Sequence, residues 1–269
     1  MKTVGVFDSG VGGLSVLRAL LVELPDTRFV YLADNAFAPY GERSAAEVSQ
    51  RSHRITGYLR EVHAIDALVV ACNTATALAV DSLRKTHPDL PIIGVEPALK
   101  PAVSLSRSGR IGVLATRGTL DSARFALLRE RQASQAKGPI HFISQPCDGL
   151  AAAIERDDED AIRALCERYI LSLCKAAGPE LDTVVLGCTH YPLLVPVLKR
   201  MLGNKVRLVD SASTCAAHTK RMLEEKHLLR TAKGKPTLEI YLTDLAEQAE
   251  ALAKRFLGTE FSKVKKATL

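Results

Sequence analysis

Tryptophan is absent from these 269 residues, and aromatic side chains make up only 5% of them. A core assembled without large rings must draw on Ala, Val, Leu and Ile, as layered α/β folds do. Long apolar runs are also missing. The longest, near Ala67–Val80, is interrupted by Asn73 and by Thr and Cys positions, which makes it too short and too polar for a membrane span. Charge appears at Lys2 and Asp8, too early for the apolar stretch of a signal peptide. The six cysteines show no tight disulfide spacing, and a reduced cytoplasm is the expected compartment. No Gly-Lys-Ser/Thr follows the one glycine-rich turn, and no basic run is interleaved with aromatics. Nucleic acid is therefore not an expected partner. The net charge of +6 is a mild excess that suits a small anionic substrate. The one local basic run, Lys263-Val-Lys265-Lys266, reads as a solvated end of the chain.

What is there is a repeated phrase. Asp66-Ala-Leu-Val-Val-Ala-Cys72-Asn-Thr74 and Asp182-Thr-Val-Val-Leu-Gly-Cys188-Thr-His190 carry Asp, Val and Cys at the same offsets, 116 positions apart. Each reads as a buried strand ending in a cysteine, followed by small hydrogen-bonding residues and a stretch compatible with helix. Two such halves would place two thiols across one cleft.

Elements of both kinds alternate along the chain. Strands are expected at 3–7, 29–32, 68–71 and 91–95, with helices over 14–24, about 44–62 and 75–86. Ser44 and Glu47 form a capping-box pattern at the start of the second helix. The order restarts at Arg110-Ile-Gly-Val-Leu-Ala-Thr116, which echoes Thr3-Val-Gly-Val-Phe-Asp-Ser9 in shape. Strands at 140–143 and 183–186 follow, with helices over 160–177 and after Pro192. A strand at 206–209, further helices, a last strand near 238–242 and a final helix over about 245–256 complete the chain. The pattern predicts an α/β protein of two similar domains with parallel sheets. Residues 1–97 with 208–269 form the first and residues 98–207 the second, with the site in the cleft between them. One continuous sheet is the alternative.

Ligands of parallel α/β sheets bind beyond the carboxyl ends of the strands. Asp8, Ser9, Cys72, Asn73, Thr74, Cys188, Thr189 and His190 all fall at such ends. Cys166 and Cys174, with Ile162, Tyr169, Ile170 and Leu173, read as the apolar stripe of one helix, and so as core. Cys215-Ala-Ala-His218 has a metal-like spacing, but no second pair completes a site. The Gly10-Val-Gly12-Gly13 turn lacks dinucleotide spacing, and its backbone N–H groups suit a carboxylate. A free thiol is only a few per cent ionised at neutral pH, and routine ionisation needs about 2 kcal/mol of help. A helix N-terminus supplies about 0.3–1 kcal/mol. His190, if protonated, is a further source for Cys188, and Asp8 is placed to relay the proton of Cys72. Two thiols, one ionised and one protonated, suit inversion of a stereocentre, because the proton must leave one face and return to the other.

Four motifs together carry a family resemblance: Phe7-Asp-Ser-Gly-Val-Gly-Gly-Leu-Ser15, Pro39-Tyr-Gly41, Ala71-Cys-Asn-Thr-Ala75 and Gly187-Cys-Thr-His-Tyr-Pro-Leu-Leu194. In order and spacing they resemble the glutamate racemases, within the aspartate/glutamate racemase family. The resemblance implies a cofactor-independent isomerase that interconverts L- and D-glutamate for peptidoglycan synthesis, built from two flavodoxin-like domains and commonly a homodimer. It places Cys72 on the D-glutamate side and Cys188 on the L side, with Asp8 and His190 assisting. It assigns substrate binding to Asp8, Ser9, Tyr40, Gly41, Asn73, Thr74, Thr189 and His190. Asp34 and Glu155 match further polar positions less securely. One departure lies at Asn35-Ala-Phe-Ala38, where the family often carries an arginine near Phe37. Aspartate racemase is the rival reading, but its second motif resembles Gly-Cys-Thr-Glu, whereas this chain has His190. A non-catalytic amino-acid-binding protein would need neither thiol, and a redox protein would not hold its sulfurs apart.

Overall fold

The structure, a computed structural model, describes residues 2–229, 237–245, 251, 257 and 264–269. Among these the strands form two wholly parallel sheets. The first half contributes β1 (Thr3–Asp8), α1 (Leu14–Glu23), β2 (Arg28–Ala33), α2 (Ala45–His63), β3 (Ala67–Val70), α3 (Asn73–Thr86) and β4 (Ile92–Gly94). The second contributes α4 (Leu99–Leu105), β5 (Arg110–Ala115), α5 (Arg117–Leu120), α6 (Ala123–Ser134), β6 (His141–Pro146), α7 (Leu150–Glu155), α8 (Glu159–Ala177), β7 (Thr183–Gly187), α9 (Val195–Leu202) and β8 (Arg207–Val209). Then follow α10 (Ala212–Glu225), β9 (Thr237–Leu242) and β10 (Lys265–Lys266).

The strand orders are β10-β9-β2-β1-β3-β4 and β6-β5-β7-β8. Without β9 and β10 the first reads 2-1-3-4, and the second repeats that order one strand for one strand. This is the flavodoxin-like arrangement, whose ligand crevice opens where the strand order reverses, between β1 and β3 and between β5 and β7. The sequence echo of β1 in β5 is therefore an echo of position. One continuous sheet is excluded.

The expected 206–209 strand pairs with β7 and closes the second sheet. The return to the first sheet begins with α10, whose Cys215, Ala216 and Leu223 share a core with Leu17 and Leu20 of α1. The basic tail is not a free end. Lys265 and Lys266 pair with Tyr241 and Leu242, and Lys265 Nζ lies 3.0 Å from Glu239. The helix expected over about 245–256 falls almost wholly outside the described residues. Helices α4, α5, α6 and α7 have no counterpart in the sequence reading. No described helix is long and apolar enough to cross a membrane.

The capping box at Ser44 and Glu47 forms in both directions. One expectation about α8 fails. Cys166 is buried with Ile170, Leu173 and Ala177, but Cys174 is exposed. At about 100° per residue, the seven-residue step from Cys166 to Leu173 returns to the same face, whereas the eighth residue is rotated roughly 80° off it.

Candidate active site

Asp8 ends β1, Cys72 follows β3 and Cys188 follows β7, so each lies at a reversal point of strand order. All three are buried: Asp8 is 0%, Cys72 4% and Cys188 7% exposed. Cys72 sits at the rim of one core and Cys188 at the rim of another. A chain of polar groups joins them. Cys72 Sγ lies 3.7 Å from Ser9 Oγ, and the neighbouring Asp8 carboxylate receives Thr189 Oγ1 at 3.4 and 3.5 Å. Thr189 adjoins Cys188, whose Sγ is 3.6 Å from His190 Nδ1.

The two thiols are held differently. Cys72 is the N-cap of α3, and the Ala75 N–H donates to its sulfur at 3.4 Å. That helix end favours negative charge, but burial, Asp8 and Cys188 push the thiol well up from its ordinary pKa. Cys188 is followed by a 3-10 turn, Tyr191–Leu194, and its specific partner is an imidazole. Burial works against a charged His190. The hydrogen bonds it gives to Cys188 and Glu155 prevail and hold its pKa well above the usual value. Its Nε2 meets Glu155 Oε1 at 2.5 Å. Burial raises Asp8, with His190 and the Gly13 N–H opposing.

The glycine turn acts by closeness, not by unusual backbone angles, for none of its glycines has positive φ. A Cβ on Gly12 would fall 2.6 Å from the His190 ring, and one on Gly13 2.5 Å from Asp8 Cβ. Its N–H groups do take carboxylates, and these belong to the protein. Val11 N donates to Glu155 at 2.8 Å and Gly13 N to Asp8 at 2.6 Å. Glu155, at the end of α7, thus ties His190 to the first sheet.

The remaining expected residues surround this line. Asn73 and Cys188 line one small cavity, and the Asn73 side-chain nitrogen is buried without a partner, a donor free for a ligand. Thr74 Oγ1 lies 2.9 Å from Thr116 Oγ1 and 3.4 Å from Thr119 Oγ1. Gly41 packs so tightly on Thr116 that a Cβ there would come within 2.6 Å of it. Tyr40 shares a core with Cys72, and its hydroxyl donates to Asp34 at 2.5 Å. Thr116 and Thr119 join the site from the second lobe without a motif of their own. A positional signal exists, since Thr116 holds in the β5 echo the place Ser9 holds after β1. Among the described residues no three His, Cys, Asp or Glu cluster as a metal site, and Cys215 and His218 form none.

Two buried cysteines with polar side chains around them, each at a strand end of its own parallel sheet, make this an α/β protein whose candidate site brings both lobes together. Residues 13–219 match the Asp/Glu/Hydantoin racemase family, and the chain belongs to it. It is 48% identical over 240 residues to the glutamate racemase of Stutzerimonas stutzeri, with 88% of this chain and 87% of that one covered. To the Pseudomonas aeruginosa glutamate racemase it is 43% identical over 258 residues, covering 95% and 94%. A Bacillus anthracis glutamate racemase isoform superposes with a TM-score of 0.87 at 32% identity, covering 100% and 98%. The Escherichia coli glutamate racemase, solved with L-glutamate bound, gives 0.82 at 34%, covering 99% and 98%.

Proposed function

We propose that this protein interconverts L- and D-glutamate by two-base proton transfer, without a cofactor, and supplies D-glutamate for peptidoglycan. The observation that carries the reading is the line Cys72–Ser9–Asp8–Thr189–Cys188, which sets a thiol at either end of one polar seam. Cys72 takes or gives the α-proton on the D side and Cys188 on the L side. His190, held by Glu155, donates its Nδ1–H toward the Cys188 sulfur and so favours negative charge there. Asp8 lies between both thiols, fixed by Gly13 and Thr189. Its direct contact with the Cys72 side is through Ser9, so a proton relay from Cys72 passes the Ser9 hydroxyl. Ser9, Asn73, Thr74 and Thr189 present donors for the α-carboxylate, and the Tyr40–Gly41 turn with Thr116 receives the distal end of the substrate.

The lobes are residues 1–97 with the closing segment, and 98 onward through β8. We set their junction after Val209 in place of 207/208, since β8 pairs with β7. Both thiols are nearly inaccessible, so the lobes must part to admit glutamate. We place the enzyme in the cytoplasm, where thiols stay reduced, and as a homodimer on the family resemblance. Incubation with L-glutamate in deuterated water tests the activity: optical rotation is lost and deuterium enters the α-carbon with no cofactor added. Racemisation of aspartate but not glutamate would replace the substrate. Exchange of neither would leave an amino-acid-binding protein.

A further inference from the structure

The Tyr40–Gly41 turn is held from behind by a buried ion pair. Asp34 is 0% exposed and its carboxylate is fully engaged. Arg51 of α2 donates from its NH2 group at 2.7 Å to Oδ1 and from Nε at 2.9 Å to Oδ2, and Tyr40 donates to Oδ2 at 2.5 Å. Such a fork fixes orientation as well as charge. The guanidinium carbon of Arg51 lies 3.9 Å from the centroid of the Phe37 ring. Phe37 stands in the loop between β2 and α2, so the loop supplies the platform and α2 supplies the cation.

From this geometry we infer that Arg51 is a positioning residue for substrate binding: through Asp34 it sets the Tyr40 ring and thereby the place of Gly41 against Thr116. The inference rests on the racemase reading, in which this turn receives the substrate. An isolated carboxylate at this depth is strongly disfavoured. Without Arg51 the Asp34–Tyr40 contact is therefore rebuilt or broken, and the turn shifts with it. Arg51 touches neither thiol, so the effect falls on binding rather than on proton transfer.

The test is steady-state racemisation by wild type, Arg51→Met, Arg51→Lys, Asp34→Asn and the double variant Arg51→Met/Asp34→Asn, with thermal melts alongside. An inactive wild type refutes the racemase reading itself, independently of Arg51. With an active wild type, Arg51→Met is expected to raise KM about 10-fold while kcat changes less than about 3-fold. Arg51→Lys, which keeps the charge but loses the fork, falls between. The double variant removes both charges and is expected to return KM to within about 3-fold of wild type. If Arg51→Met alone does not fold, the double variant against Asp34→Asn decides: a KM for the double equal to or better than that of Asp34→Asn supports the role. Unchanged KM in Arg51→Met, or parallel losses in kcat and KM with no recovery in the double variant, overturns it.

Discussion

Glu155 Oε1 receives both His190 Nε2 at 2.5 Å and the Val11 N–H at 2.8 Å, so one carboxylate joins the imidazole beside Cys188 to the glycine turn of the opposite sheet. Replacing Glu155 by Gln leaves the shape and removes the charge. Part of what holds the His190 pKa up is then lost, so its value falls. The sign follows directly. The imidazolium persists only below its pKa, so a lower pKa brings its loss to lower pH. The alkaline limb of kcat/KM should move to lower pH, with about a 10- to 100-fold loss above it. A pH–rate profile checks this, and an unmoved limb contradicts it.

Cys72→Ser and Cys188→Ser should each cut racemisation by roughly 100- to 10,000-fold, the range set by loss of one positioned acid–base group. Both side chains are small and buried, so melting temperatures should shift little. Because the substrates are mirror images, kcat/KM must fall by the same factor in both directions. Isotope exchange separates the two thiols. Residual α-deuteration should be confined to L-glutamate in the Cys72 variant and to D-glutamate in the Cys188 variant. Exchange of both enantiomers by either variant argues against two bases.

The glycines give a paired prediction. In Gly12→Ala the new methyl meets a His190 ring that is 1% exposed and cannot swing aside. About 1–3 kcal/mol of stability should be lost, with activity falling at least about 10-fold. Gly57 lies inside α2 with nothing within 4 Å of a Cβ. There alanine should stabilise by about 0.5–1 kcal/mol and leave kcat unchanged. Urea titrations and turnover on the two variants decide both halves.

The site was legible where chemistry and strand ends coincide. Cys72, Cys188, Asp8 and their neighbours could be placed because a parallel sheet puts its ligands at one edge. The two similar lobes could be inferred because β1 and β5 share a pattern. What escaped was set by distant packing. Nothing local marks Arg51 as the partner of Asp34, 17 residues earlier, or Thr119 as a neighbour of Thr74. Cys174 escapes the core because the apolar stripe of α8 in the sequence is wider than the face the helix buries. The exposure of Cys174 can be counted. In native protein one thiol per chain should react fast with a disulfide reagent, and Cys174→Ser should abolish that phase, whereas Cys166→Ser should not.

The repeated phrase extends six residues ahead of each thiol, to Asp66 and Asp182, and chemistry does not explain that end. These carboxylates sit at the opposite ends of β3 and β7 from the cysteines. Asp66 receives Lys2 Nζ at 2.6 Å and Thr3 N at 2.8 Å. Asp182 receives the Ser106 hydroxyl at 2.7 Å and the N–H groups of Arg107 and Ser108 at 2.7 and 2.9 Å. Each ties the start of one strand to the segment at or before the neighbouring strand's start, so the offset is conserved between the halves by architecture. For Asp182, burial raises the pKa but these donors prevail and bring it down to about 2. A depressed carboxyl stabilises the fold above its unfolded pKa of about 3.9, and that contribution fades as pH falls through about 2. The group is half-buried, so solvent still screens it and its charge contributes about 1 kcal/mol. Asp182→Asn should therefore be less stable than wild type by about that amount at neutral pH, with the gap closing between about pH 4 and pH 2. Urea unfolding across that range measures it, and a gap independent of pH would assign the role of Asp182 to hydrogen bonding without charge.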